Sequence, residues 1–371
     1  MSELKAQVKF VDQNKTEFYS ILKSRVDQYF TENNISKFAN VTMVIKTIIL
    51  LLAYILPFIF ILFFQPSFGV SLMLWSFMGI AVAGIGMSVM HDANHGAYSA
   101  NKNVNYWLGN TLNLLGGSVF NWKLQHNILH HTYTNITFLD DDISDRLVLK
   151  FSPHTKQKSF HQFQWIYAFF FYGLLTFYWA VAKDFIQFYQ FSKNGVNNKS
   201  RKENVIILAK IIAIKIFYFS LMIIFPVYFF NMLFAQVFAG FILMHFLSGL
   251  ILTTVFQLAH TVENTTHPLP NKEGIISNDW AIHQLNTTAD FAPNNKLLSW
   301  YIGGLNFQVE HHLFQKISHV HYPEISKIVK ETAKEYGIPH IENKTLLSAI
   351  KSHITYLKQL GKLPNLHEAI G

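Results

Sequence analysis

Four stretches of this 371-residue chain, 41–64, 69–90, 204–226 and 232–256, are almost wholly apolar. Each matches the roughly 20 residues that a helix needs to cross a bilayer. In hydrocarbon the backbone has no water to bond, so such stretches satisfy their own N–H and C=O groups by folding as helices. The expectation is an all-α membrane protein with four transmembrane helices. Composition agrees: 50% hydrophobic residues, 14% charged residues and 35 phenylalanines leave too little charge to cover a soluble protein of this length. The connections QPSF and the turn near Asn231 carry no charge, as expected of translocated loops.

Charge is distributed unevenly along the chain. Of 30 Lys and Arg, only Lys46, Lys210 and Lys215 fall inside apolar stretches, where snorkelling or a shifted boundary would accommodate them. The others lie before residue 40, in 91–204 or after 260, which places those parts on the cytoplasmic side. This asymmetry accounts for the net charge of +8 without nucleic acid, and no phosphate loop or nucleic-acid motif accompanies it. The absence of cysteine excludes disulfides, thiolate metal sites and an Fe–S cluster held by this chain.

Three segments follow from this pattern. Residues 1–40 form a cytoplasmic amphipathic segment, with Phe18, Ile21, Leu22, Val26, Tyr29 and Phe30 at helical spacing and no cleavable signal. Residues 41–340 form the membrane domain, and 341–371 a C-terminal cytoplasmic helix. A fifth apolar stretch, 165–182, has basic flanks. Were it to cross, residues after 260 would fall on the opposite side from 91–131, so it reads as interfacial or buried, as does 104–120. Helices are expected near 323–336, opened by Pro323, and near 345–360, ended by Gly361.

The chain has 18 histidines, and they cluster. HDANH places His91 and His95 at i, i+4 on one helical face. HNILHH adds His126, His130 and His131, QLAH adds His260, and QVEHH adds His311 and His312. A lone HxxxH is more often ordinary surface or core histidine than a ligand pair. All eight of these, however, fall at or beyond the cytoplasmic ends of spans. Imidazole suits Fe, Zn, Cu and Ni, and eight ligands exceed the needs of one ion, so the count fits two. Asp92, Glu310 and the run Asp140–Asp142 are candidates to orient the rings from behind. Ordinary helix-end or loop charge is the alternative reading for each.

The set HDANH, HNILHH and QVEHH, with HHTYTNI, NDWAIHQLNTTADFA, GGLNFQVEHHLF and HVHYP around it, resembles the membrane fatty acid desaturases from about residue 40 to 340. The resemblance implies four spans under a cytoplasmic helical cap that holds a di-iron centre. It also implies O2-dependent insertion of a cis double bond into a fatty acyl chain, in an integral multi-pass protein of a bacterial inner membrane. Its ligands would be His91, His95, His126, His130, His131, His260, His311 and His312, with no further catalytic residue. Many family members carry histidine where this chain has Gln308. Glutamine there is similar to the front-end (Δ5, Δ6, Δ8) group and to bacterial linoleoyl-CoA-like desaturases, and Gln308 would ligate directly, act through water or stand aside. No HPGG haem motif occurs, so the electron donor is expected to be a separate protein of ferredoxin or cytochrome b5 type. NWKLQH lacks the Arg-Asp pair found before the second box in animal acyl-CoA enzymes, which leaves both acyl-CoA and acyl-lipid substrates open. Gln315 stands where relatives commonly have proline.

Within this reading Asp92, Glu310, His283 and Asn306 are possible supporting residues of the metal centre. Trp122, Tyr133, Trp280 and Phe307 are possible walls of an acyl tunnel, although aromatics at membrane boundaries more often serve as anchors. His319 and His321 share the family-like strings, while His154, His161, His267, His340, His353 and His367 read as surface residues. The alternatives are a hydroxylase or ketolase on the same centre, a metal transporter and a membrane zinc hydrolase. A transporter would carry histidines along its spans, and only His245 lies inside one.

Overall fold

The computed structural model describes residues 8–12, 16–143 and 148–364. His367 and the ends of the N- and C-terminal segments lie outside the described residues. Regular structure is helical, apart from two parallel pairings of two residues each. Lys9–Phe10 pairs with Ile275–Ile276, and Asp290–Phe291 with Glu342–Asn343. Among the described residues, five helices are long and apolar enough to cross a membrane: Val41–Phe64, Phe68–His95, Ser159–Lys193, Arg201–Phe229 and Phe234–His260. Ser159–Lys193 contains the 165–182 stretch. Length and hydropathy do not separate a helix in lipid from one covered by protein.

The chain divides into two compact units, one of residues 39–124 and 169–254, the other of residues 1–38, 125–168 and 255–371. In the first, Val41–Phe64 starts at Asn40, whose side chain accepts from the Met43 N–H. The helix buries Met43, Thr47, Leu50, Tyr54 and Ile61, while Val41, Ile45, Ile48, Leu52, Ile55 and Phe63 are exposed. A water-facing surface does not carry such a continuous apolar stripe; lipid accounts for it. Two glycines let neighbouring elements approach closely. A Cβ on Gly249 would stand 2.6 Å from the Gly173 carbonyl, and one on Gly240 would stand 2.2 Å from the Trp75 ring.

Lys215 does not snorkel. Its Nζ lies 2.6 Å from Asp184 Oδ2 and also donates to the carbonyls of Gly116 and Trp179. Asp184 in turn accepts from the Ser118 N–H and Trp179 Nε1–H, each at 3.0 Å. A buried pair is tolerated only when the remaining donors and acceptors are satisfied in this way.

In the second unit, helix Phe18–Glu32 buries Phe18, Leu22, Val26 and Phe30 in a core with Leu285, Val309, Leu313, Ile325 and Val329. Spacing of i, i+4, i+8 and i+12 makes that stripe. Arg25 reaches both carboxylate oxygens of Glu335 at 2.9 and 2.7 Å. The two C-terminal helices are Tyr322–Glu335, with Pro323 in its first turn, and Leu346–Lys362. Gly361 lies inside the second and does not cap it. A Cβ there would stand 2.1 Å from the His161 carbonyl, so this glycine permits contact with segment Ser159–Phe163.

Three histidines expected at the surface are buried: His161, His267 and His353. His353 sits on the inward face of its helix with Nδ1 2.7 Å from the Thr261 carbonyl. Burial lowers the pKa of both His267 and His353 to about 4, so they act as neutral hydrogen-bonding core residues.

Removing one partner of the Lys215–Asp184 pair leaves a buried charge. Asp184→Ala is expected to cost about 3–5 kcal/mol of stability. A thermal midpoint in detergent unchanged from wild type would contradict this.

Candidate metal centre

The unit of residues 39–124 and 169–254 carries the pair His91 and His95. A π-helical turn at Ile85–Val89 runs into helix Met90–His95, which ends where Gly96 takes φ +76°. His91 and His95 share one face, with ring centroids 4.8 Å apart. Both meet Trp122 edge-on at 5.8 Å. Asp92, in the same turn, is 2% exposed.

The other unit holds the remaining six of the eight motif histidines. HNILHH lies at the end of a π-helical run, Lys123–His130, closed by i→i+5 rather than i→i+4 bonds. That wider turn answers the odd spacing of the motif. His130, four residues on from His126, stacks on it with centroids 5.4 Å apart. His131, five residues on, brings its Nε2 3.2 Å from that of His126. In an ordinary α-helix a residue five positions on faces away. Helix Gln308–Leu313 adds His311, 4.6 Å from His131, and His312, 4.8 Å from His130, as ring centroids. His260 closes the group at 4.7 Å from His130 and 5.0 Å from His312.

One ring nitrogen from each of His130, His260 and His312 lies within 4.8 Å of the others. All three residues are fully buried. What sits behind each ring decides which nitrogen faces inward. His130 Nδ1 lies 3.1 Å from Asp140 Oδ2, and its Nε2 is buried without a hydrogen bond. Burial opposes protonation of His130, but Asp140 and Asp142 outweigh it and raise the pKa. His312 Nδ1 lies 2.8 Å from Gln284 Oε1, and His260 Nδ1 lies 3.4 Å from the Thr287 carbonyl. His311 Nδ1 meets the Tyr322 hydroxyl at 3.2 Å. Acceptors at Nδ1 hold the proton there and leave Nε2 as the lone-pair donor, the arrangement of a metal-ligating imidazole. A buried set of nitrogen lone pairs facing one another fits a transition metal.

Gln308 is 2% exposed, with Nε2 3.2 Å from His260 Nε2 and Oε1 without a hydrogen bond. Glu310 faces Asp290 and His340. Burial and Asp290 raise the Glu310 pKa; burial lowers that of His340, but the two carboxylates more than reverse it. His283 bonds the Thr134 carbonyl at 2.9 Å and is held near pKa 4, chiefly by burial. Asn306 ties Ser299 Oγ and the Ala292 carbonyl. Trp280 donates to the His131 carbonyl, Tyr133 packs beside Ile136 and Leu139, and Phe307 belongs to the core around Phe18. The residues that sequence reading passed over are Gln284, Thr287 and Tyr322. The first two follow His283 in the string NDWAIHQLNTTADFA; no local spacing ties any of the three to a histidine.

Residues 68–344 match the fatty acid desaturase family. The chain belongs to that family and is a membrane oxidoreductase, a fatty acyl desaturase. It is similar to the sn-1 linoleoyl-lipid 6-desaturase of Synechocystis sp., 35% identical over 364 residues that cover 96% of this chain and 98% of the relative. The protein of the same name from Arthrospira platensis is 34% identical, covering 94% and 93%. An acyl-lipid (8-3)-desaturase of Physcomitrium patens is 32% identical, covering 96% of this chain and 74% of the relative.

Gln284 accepts from His312 and from the Thr134 hydroxyl while donating to the His131 carbonyl. Gln284→Leu removes that acceptor, and metal affinity is expected to fall about 10- to 100-fold. Metal per chain, measured against a competing chelator, checks this, and occupancy equal to wild type would refute it.

Proposed function

We propose that this chain is a front-end acyl-lipid desaturase that uses two iron ions held by His91, His95, His126, His130, His131, His260, His311 and His312. The observation that carries the reading is similarity along nearly the full length to relatives named as linoleoyl-lipid and acyl-lipid desaturases. Gln308 in QVEHH and the missing Arg-Asp pair before HNILHH support the front-end and acyl-lipid assignments.

The reaction takes one hydrogen from each of two neighbouring CH2 groups. With O2, two electrons and two protons it yields a cis CH=CH and two waters. Bound iron supplies an oxidant strong enough for an unactivated C–H bond. The electrons come from a separate donor of ferredoxin or cytochrome b5 type. Asp140, Gln284 and the Thr287 carbonyl hold the Nδ1 protons of His130, His312 and His260 outward. Trp122, beside His91 and His95, excludes water from that pair.

Four of the five long helices cross the membrane in this reading, and Ser159–Lys193 lies at the interface. His130, His260 and His312 belong to one cluster, so the chain between 131 and 260 crosses an even number of times. In Ser159–Lys193 the start of the apolar part is engaged with polar partners. Gln164 bonds the carbonyls of Lys150 and Leu357, and Lys358 lies 4.0 Å over the Trp165 ring. In this reading the basic segments all face the cytoplasm, a distribution the positive-inside rule supports, and the centre lies on that face of a bacterial inner membrane.

Expression in a host of known lipid composition, with mass-spectrometric location of new double bonds, tests the reading. A new cis bond on the carboxyl side of an existing one, appearing first in intact lipid, is expected. Hydroxy acid in place of alkene, or product confined to acyl-CoA, would overturn it. His312→Ala is expected to lose iron and activity together; full activity in that variant would refute its place among the ligands.

A further inference from the structure

The histidine centre is not the only buried cluster able to hold a cation. Asp290, Glu310 and His340 each bring one ligand atom within 4.8 Å of the others. Both carboxylates are 0% exposed, while the His340 side chain retains 10% exposure. His340 Nε2 lies 3.3 Å from Asp290 Oδ2 and 3.9 Å from Glu310 Oε1. Neither Glu310 oxygen makes a hydrogen bond, nor do Asp290 Oδ2 and His340 Nε2. Four donor atoms thus point into one small space, held there by the His340–Asp290 contact.

The backbone builds this arrangement. The pairing of Asp290–Phe291 with Glu342–Asn343 places the Asp290 N–H on the Ile341 carbonyl at 2.9 Å, which brings His340 alongside. Asp290 Oδ1 accepts from the Val309 N–H at 3.0 Å, at the start of the helix that carries Glu310. Three separate segments therefore converge on one point, and Asp290 keeps Oδ2 spare.

Charge decides what belongs there. Buried carboxylates are costly unless paired or metal-bound; a protonated His340 offsets one of the two, and the other must then keep its proton. A divalent cation with neutral imidazole balances both. Oxygen donors alone would favour Mg2+ or Ca2+; the imidazole nitrogen shifts the preference toward Mn2+ or Zn2+.

We propose that Asp290, Glu310 and His340 form a mononuclear site for a divalent first-row cation, distinct from the histidine centre. Its ligands are one Asp290 oxygen, the Glu310 carboxylate and His340 Nε2, with water entering on the partly exposed His340 side. The ion clamps the 289–292 loop, the start of helix Gln308–Leu313 and the segment before Glu342.

The test is Mn2+ binding to the iron-loaded, detergent-solubilised enzyme, with bound Mn2+ counted by electron paramagnetic resonance and iron counted separately. Wild type is expected to bind one more equivalent of Mn2+ than His340→Ala, with Zn2+ competing, while both variants carry the same iron. His340→Gln guards against a folding defect; it should show the same loss with an unchanged far-ultraviolet dichroism spectrum. Mn2+ should raise the thermal midpoint of wild type and leave that of His340→Gln unmoved. Equal Mn2+ in wild type and both variants overturns the proposal. Failure of the di-iron reading is separate: iron would be absent while the one-equivalent difference persisted.

Discussion

A neutral imidazole offers a metal only the nitrogen that carries no proton, so the centre depends on where each Nδ1 proton goes. The answer lies outside the histidine motifs. Asp140, Gln284 and the Thr287 carbonyl stand behind His130, His312 and His260, and none is interchangeable with water in a cluster so fully buried. Gln284 carries the most, because its two ends join the His312 ring to the backbone at His131. Its planar amide therefore couples the second and third histidine motifs at a fixed distance.

Helix irregularity is the second requirement. A regular α-helix brings residues three and four apart together, which serves HDANH but not the triple of HNILHH. The π-helical run ending at His130 lets His130 and His131 both reach His126. A π turn costs hydrogen-bond regularity and is rare outside functional positions, so its presence here is tied to the three clustered histidines. Packing elsewhere is arranged by subtraction: Gly249 and Gly240 give up side chains so that backbone and Trp75 can approach.

The legible part of this protein was the local part. Apolar runs, the amphipathic stripe from Phe18 to Phe30 and the histidine spacings are all short-range patterns, and each appears as a helix or a cluster. Long-range partners left no trace. Gln284 lies 28 residues from His312 and Asp184 lies 31 from Lys215, and nothing in either neighbourhood marks the pairing. The same blindness put His161, His267 and His353 on the surface. A histidine on a mixed face can be solvated or bonded to a carbonyl, and composition does not separate the two. Helix Ser159–Lys193 was ambiguous because hydropathy measures avoidance of water, whether lipid or protein supplies the cover.

Gln308 gathers these threads. The Thr287 carbonyl holds the proton of His260 on Nδ1, so His260 Nε2 is a lone pair, and the Gln308 amide donates to it at 3.2 Å. A metal at His260 needs the same lone pair, so metal and Gln308 N–H compete for one atom. In the proposed site a metal at His260 would displace that donor; Gln308 Oε1 is buried and makes no hydrogen bond. A histidine at this position would add a ninth imidazole of high basicity; a glutamate would add negative charge to a pocket that already has Asp140 behind it. The amide adds neither. In the proposed site it would let one side chain satisfy His260 before metal binds and leave a neutral oxygen nearby afterwards, at a cost of one exchanged hydrogen bond, about 0.5–1.5 kcal/mol.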